Sequence, residues 1–129
     1  MESWDRMNPA LQILSIAVLM AVLDAPWLLL QKSWVLDFTE DIQGGRKPQM
    51  RLWAAVPVYL ALAYCVTQAP NAPRAFLFGM TTYAVYDFTN LLVFDKYPLG
   101  FALADTLWGG LLMALTWWIS NQVGLLRIG

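Results

Sequence analysis

The run ALQILSIAVLMAVLDAPWLLLQ at residues 10–31 decides the fold class, because Asp24 is the only ionisable residue in it. An α-helix needs about 20 mostly apolar residues to cross the hydrocarbon core of a bilayer, and this run is long enough. It is also longer than the apolar core of a secretory signal peptide, and it ends at polar residues instead of a small-residue cleavage site. We therefore interpret it as a retained membrane anchor.

Three further apolar stretches follow, so the spans are predicted at about residues 10–31, 51–69, 74–94 and 99–123. The turn-forming PNAP at 70–73 and the short DKYP at 95–98 require neighbouring helices to run antiparallel. The polar loop at 32–50 is longer, and its first part is predicted to lie as an amphipathic segment in the membrane interface. The sequence thus predicts an all-α integral membrane protein, an antiparallel four-helix transmembrane bundle with a short interfacial segment between helices one and two.

The composition supports a membrane protein and argues against several other classes. The chain of 129 residues is 59% hydrophobic and 13% charged, whereas soluble domains average about 45–50% and about 25%. Eight basic residues stand against nine acidic ones without a long basic run, which argues against a nucleic-acid partner. Histidine is absent and Cys65 is the single cysteine, so the usual zinc ligands and most hydrolase nucleophile pairs are missing from the sequence.

The distribution of basic residues favours a multi-pass topology with both termini outside. The face that holds the first and third loops carries five of them, Lys32, Arg46, Lys47, Arg51 and Lys96, and the other face carries Arg6, Arg74 and Arg127. The expected partners are membrane lipids, and a homo-oligomer or a larger membrane complex stays open as a second kind of partner.

Three acidic residues, Asp24, Asp87 and Asp105, lie inside the predicted spans. An ionisable residue within a span is energetically expensive and usually faces the bundle interior or water. Each of the three is seven residues from a span boundary, at Gln31, Phe94 or Pro98, and all three boundaries face the same side of the membrane. At 1.5 Å per residue, each acid lies about 10 Å below that side. We therefore expect the three carboxylates to meet in one layer.

Polar and aromatic residues that lie one helical turn from these acids, together with Thr106 beside Asp105, complete a candidate binding site. The candidate ligand- or cation-binding residues are Asp24, Asp87, Asp105, Asn90, Thr106, Tyr83, Trp27 and Trp108. No cofactor is otherwise predicted, but these oxygen donors suit a hard cation, and any metal would lie on the three aspartates. The aromatic faces suit an organic ammonium, including an amine-bearing lipid headgroup. Gly79, Gly109 and Gly110 are expected to let the helices approach closely.

Three segments of the chain resemble a known family. They are LDAPWL at 23–28, YAVYDFTNL at 83–91 and DTLWG at 105–109. Together they are similar to the small four-helix membrane proteins of the domain-of-unknown-function family 2177, over about residues 10–120. The resemblance implies the fold and a membrane location, and it implies no particular activity.

The acid layer therefore leaves several functions open. It is interpreted as a site for a proton, a hard cation or a cationic headgroup, because desolvated carboxyls without a buried basic residue should hold a proton or attract a cation. The first alternative is a structural or assembly subunit in which the aspartates only fix helix register. The second is a lipid-modifying enzyme, which the sequence favours least because it has no diphosphate motif or Gly-rich phosphate cradle. Lys32 and Arg51 could also snorkel towards the acids and turn the site into a structural ion pair.

Overall fold

The computed structural model of the protein describes residues 8–126. Within this range the chain forms four α-helices and one short 3-10 helix, and it has no strand. The elements are α1 (Pro9–Ile42), the 3-10 helix (Leu52–Ala54), α2 (Ala55–Gln68), α3 (Ala72–Val93) and α4 (Leu99–Gln122). The predicted all-helical class is therefore confirmed. Arg6 and Arg127, which entered the prediction of topology, lie outside the described residues.

Local capping explains where the helices begin. Asn8 caps α1, since its side-chain oxygen accepts hydrogen bonds from the backbone N–H groups of Ala10 and Leu11, and Pro9 occupies the first helical position. Asn71 caps α3 in the same way, accepting from the N–H of Arg74 at 2.9 Å. The PNAP turn therefore ends α2 and starts α3 as the sequence predicted.

Helix α1 extends well beyond its predicted span, and the prediction of a loop beginning at residue 32 is wrong. The helix continues through the polar residues to Ile42, which makes it about 50 Å long. It ends where Gly44 and Gly45 adopt positive φ angles of 71° and 92°, a conformation that glycine tolerates best. The predicted interfacial segment is thus the last part of α1. Instead of forming a separate segment, it packs Phe38 against Tyr97 and Phe101.

The tightest packing joins α3 to α4, which run in opposite directions. A Cβ atom on Gly79 would lie 2.2 Å from the carbonyl oxygen of Gly109, and one on Gly109 would lie 2.2 Å from the ring of Tyr83. A Cβ on Gly110 would lie 2.6 Å from Cγ of Met80. These contacts confirm that the glycines allow close helix approach. They also bring Tyr83 of α3 to within about one helical turn of Asp105 on α4.

The buried apolar residues form two clusters on either side of that level. The larger one joins all four helices and includes Ile16, Met20, Val66 and Met113. The smaller one joins the end of α1 to the start of α4 through Phe38, Tyr97, Phe101 and Ala102. The predicted acid layer lies between them along α1 and α4.

Two of the helices between residues 8 and 126, α1 and α4, are long and apolar enough to cross a membrane. The segment Leu52–Gln68 is apolar but shorter. The four predicted spans therefore correspond to four helices, of which two meet the criteria of length and apolarity for crossing a membrane.

Candidate functional site

Helices α1 and α4 are joined by two reciprocal hydrogen bonds. In each bond a tryptophan of one helix donates to an aspartate of the other. Trp27 of α1 donates from Nε1 to Oδ1 of Asp105 at 3.0 Å, and Trp108 of α4 donates from Nε1 to Oδ1 of Asp24 at 2.7 Å. In each helix the tryptophan follows the aspartate by three residues, so both lie on one face. The two indole rings also stack, with centroids 6.0 Å apart. This exchange fixes the register of α1 against α4 at the level of the acids.

Helix α2 joins the same network through Tyr59. Its hydroxyl donates to Oδ2 of Asp24 at 2.5 Å, so both oxygens of this carboxylate accept a hydrogen bond from a neutral group. Asp24 is only 4% exposed. A buried carboxylate needs such donors, because leaving it unsatisfied would cost several kcal/mol.

The third acid, Asp87 of α3, is completely buried behind Asp105. Its two oxygens accept from the hydroxyl of Tyr97 at 2.7 Å and from Oγ1 of Thr106 at 3.4 Å. Its carboxyl group also lies within hydrogen-bonding reach of Asp105. Helices α3 and α4 therefore each contribute one acidic side chain to this contact.

Tyr97 lies in the connection between α3 and α4. Burial and its hydrogen bond to Asp87 both raise the pKa of its phenol, so Tyr97 stays a hydrogen-bond donor at neutral pH. This hydrogen bond joins the connection between α3 and α4 to Asp87 of the acid network.

A cavity of about 810 Å³ opens beside the acids, with Asp24 and Asp105 among the residues that line it. Its walls come from the second half of α1, the start of α2, the end of α3 and the start of α4, and they include Leu28, Val35, Phe38, Ile42, Val58, Phe94 and Phe101. Tyr59 and Tyr83 line it near the acids, and Arg46 lines it at the turn that follows α1. The cavity therefore combines apolar walls with two carboxyl groups.

Gln31 adds an acceptor to this cavity. It is one of the lining residues, and its Oε1 atom is buried without a hydrogen-bond partner among the described residues. Buried polar atoms are normally satisfied. A ligand with an N–H or O–H group could provide the missing donor.

The structure brings all eight predicted site residues into one region. Asp24, Asp105, Trp27, Tyr83 and Asn90 line the cavity. The others lie just behind it, with Thr106 and Trp108 donating to Asp87 and Asp24. The two tryptophans act as stacked hydrogen-bond donors in this arrangement. Lys32 and Arg51 are exposed, and the donors found for the three carboxylates are neutral indole, phenol and hydroxyl groups.

Two of the three aspartates have little capacity left for an inorganic metal ion. Among residues 8–126 no group of three acidic, histidine or cysteine side chains is placed to hold one. Asp24 and Asp87 already accept hydrogen bonds on both oxygens, whereas a hard divalent cation takes several oxygen ligands at once. A metal on the three aspartates stays a prediction from the sequence.

Sequence reasoning missed some of the residues that complete the site. Tyr97 had been assigned only to a loop, and Phe38 and Phe101 were not selected. Helical periodicity gives no position for a loop side chain, so Tyr97 could not be found by that method. Phe38 and Phe101 are apolar, and they become site residues only because the long α1 folds them over the cavity.

Comparison with protein-family models identifies the family of the chain. Residues 10–121 match the family model described as a predicted membrane protein, DUF2177. The chain belongs to this family. The matched range contains all three aspartates and both tryptophans of the exchanged pair, so the site lies within the part of the chain that defines DUF2177. The comparisons with curated proteins and with solved structures find no match.

Proposed function

We propose that this DUF2177 protein is a four-span integral membrane protein whose cavity binds the ammonium group of a membrane amphiphile. The observation that carries the proposal is the pair of carboxyl groups, Asp24 and Asp105, lining a large apolar cavity with only neutral partners described for them.

The distribution of side chains supports four spans. Leucine and valine side chains are exposed on all four helices, with Leu30 at 78%, Val56 at 58%, Leu92 at 85% and Leu103 at 55% exposure. The acids and several hydroxyl groups are buried instead. This arrangement suits a lipid environment, because polar groups in a membrane protein face the bundle interior.

Cysteine labelling tests this topology in a Cys65→Ser background. Single cysteines at Gly44 and Lys96 should react with a membrane-impermeant maleimide from one side of sealed vesicles, and a cysteine at Asn71 should react from the other. Labelling of Gly44 and Asn71 from the same side would show that α2 does not cross the membrane.

Charge favours a cation as the ligand. The carboxyl groups of Asp24 and Asp105 make the inner part of the cavity acidic, because the hydrogen-bond donors described for them are neutral. An ammonium group would gain both this attraction and contact with the rings of Tyr59 and Tyr83, since cations bind aromatic faces by about 0.5–2 kcal/mol.

Size and wall chemistry favour an organic cation with an apolar part. Pockets for small organic ligands range from about 300 to 1,000 Å³ and are mostly apolar with a few polar groups. The volume of about 810 Å³ lies within this range. A small hydrated ion would leave most of the apolar wall without a partner.

Thermal unfolding in detergent tests the binding, with decylammonium as the probe and decanol as its neutral counterpart. At about 100 times its Kd, a ligand stabilises the folded state by about 2.7 kcal/mol. Decylammonium should therefore raise the melting temperature of the wild type more than decanol does. The difference between the two shifts should disappear in Asp24→Asn and in Asp105→Asn, because each substitution removes one carboxyl group from the cavity.

Asp37→Asn is the matched control, because Asp37 is an exposed acid on the same helix α1. It should respond to decylammonium as the wild type does. Equal shifts with decylammonium and decanol in the wild type, or undiminished shifts in both site variants, would contradict the proposal.

The structural or assembly role is a second candidate, favoured by the hydrogen bonds that engage all three carboxylates. If this were their whole function, Asp24→Asn would lower stability to the same extent with and without decylammonium. The described residues give the lipid-modifying enzyme no comparable support.

A further inference from the structure

A second depression lies on the outer side of the α1 and α2 pair, and we call it the α1/α2 groove. It has a volume of about 320 Å³. Helix α1 lines it with Leu14, Ala17, Val18 and Ala21, and α2 with Val56 and Leu60. Two further residues, Ala55 and Tyr59, line both this groove and the cavity.

The groove offers nothing polar to a ligand. Tyr59 has the only polar side chain among its lining residues, and the hydroxyl of Tyr59 already donates to Asp24. Small side chains open the space, since Ala17 and Ala21 are one helical turn apart on α1 and Ala55 faces them from α2. Such a surface accommodates hydrocarbon.

The position of the groove relative to the cavity determines what can occupy both. Along α1 the groove extends from Leu14 to Ala21. The cavity begins at Asp24, three residues after Ala21. Ala21 and Leu14 are separated by about 10 Å along the helix axis. A molecule with its polar end at Asp24 would therefore have a hydrocarbon chain directed along the groove, away from the loop side of the cavity.

We propose that the α1/α2 groove holds the alkyl chain of the amphiphile whose ammonium group lies in the cavity, so that the ligand class is a long-chain amine. This inference rests on the proposed binding of an ammonium group at Asp24 and Asp105. The chain passes from the cavity to the groove at Ala55 and Tyr59, the two residues that line both.

Photolabelling with a long-chain alkylammonium that carries a diazirine at the end of its chain tests the inference directly. After irradiation of the full chain in lipid nanodiscs, mass spectrometry should find the label on Leu14, Val18 or Leu60. An alcohol probe with the same chain and diazirine provides the background of labelling by partition into lipid, which should be spread over exposed residues such as Leu103 and Leu111.

Ala21→Phe fills the groove and should abolish the ammonium-specific labelling of Leu14, Val18 and Leu60. Ala61→Phe is the matched control, because Ala61 is an exposed alanine of α2 that is absent from the lining of the groove and of the cavity. This variant should be labelled as the wild type is. Short-chain butylammonium should still stabilise Ala21→Phe, because its binding needs the acids and not the groove.

The outcomes separate the two proposals. If decylammonium stabilises the protein in an Asp24-dependent way but the label lies outside the groove, the chain position is wrong and the ammonium site stands. The chain position is also wrong if Ala21→Phe keeps the wild-type labelling. If the ammonium and alcohol probes label identically and neither stabilises the protein, the ammonium site itself is wrong, and the inference about the chain fails with it.

Discussion

The two ends of the helix bundle differ sharply in how closely their helices pack. Around Gly79 and Gly109, α3 and α4 leave no space for a single additional Cβ atom. At the other end, from Asp24 and Asp105 towards the turn after α1, the helices surround a cavity of about 810 Å³. The same helices build both ends, so the difference comes from side chains, with glycine at one end and large aromatic residues at the other.

Hydrogen bonding differs between the two ends as well. At the cavity end, all three carboxylates have described donors, and only Oε1 of Gln31 is buried without a partner among the described residues. At the packed end, the hydroxyl groups of Thr116 and Ser120 are buried without a partner among the described residues. The comparison teaches that the packed end depends on close contact for its stability, whereas the cavity end depends on a polar network that keeps a space open.

The largest effect is expected from adding a methyl group at the packed end. Gly79→Ala would place Cβ 2.2 Å from the backbone oxygen of Gly109, which can move only with the helix. We expect a loss of about 3 kcal/mol in the free energy of unfolding, at the upper end for overpacked cores. Equilibrium unfolding in detergent would measure it.

Gly100→Ala is the matched control for this change, because a Cβ there would lie at ordinary contact distance, 3.8 Å, from the ring of Trp34. It should be neutral or slightly stabilising, since alanine favours a helix more than glycine does. Equal destabilisation by both substitutions would remove the distinction between the packed end and the rest of α4.

An intermediate effect is expected at the cavity end from Tyr97→Phe. This change removes the donor to Oδ1 of the fully buried Asp87 while keeping the aromatic ring in its cluster. A buried acceptor left without a partner costs about 1–3 kcal/mol, so we expect a loss of about 2 kcal/mol. Tyr64→Phe, at a tyrosine that is 54% exposed, should leave stability unchanged. If Tyr97→Phe left the free energy of unfolding unchanged, the connection between α3 and α4 would not support the acid network.

The smallest effect is expected from the single hydrogen bond of Trp117 at the packed end, obtained by comparing Trp117→Phe with Trp118→Phe, which removes the same ring atoms. Nε1 of Trp117 donates to the backbone oxygen of Ala69 at 2.8 Å and joins α4 to the end of α2. The loss of one such bond should cost about 1 kcal/mol. Trp118→Phe, at the neighbouring tryptophan that is 55% exposed, should cost less. A larger loss of stability in Trp118→Phe than in Trp117→Phe would contradict this view of the packed end.

The sequence predicted the helices and the level of the acids because both follow from counting along a regular helix. Each aspartate is seven residues from a span boundary that faces the same side of the membrane, and the structure brings the three side chains together. The same counting placed Trp27 beside Asp24 and Trp108 beside Asp105. It could not show that each indole donates to the acid of the other helix, because that depends on how α1 packs against α4.

The end of α1 was mispredicted for an identifiable physical reason. The polar residues after Leu30 indicate where an apolar span ends, but a helix stops only where its backbone is interrupted. Between Pro26 and Gly44 the sequence contains neither glycine nor proline, and this was the available signal for a longer helix. The cavity could not be predicted, because its walls depend on this extension and on the buried position of Tyr97.

The central claim is that the carboxyl groups at the cavity bind an ammonium group, and isothermal titration of the detergent-solubilised protein with decylammonium tests it most directly. The account predicts saturable binding with one ligand per chain, lost in Asp105→Asn and retained in Asp37→Asn. Binding that is unsaturable, that decanol reproduces, or that persists unchanged in Asp105→Asn would contradict it.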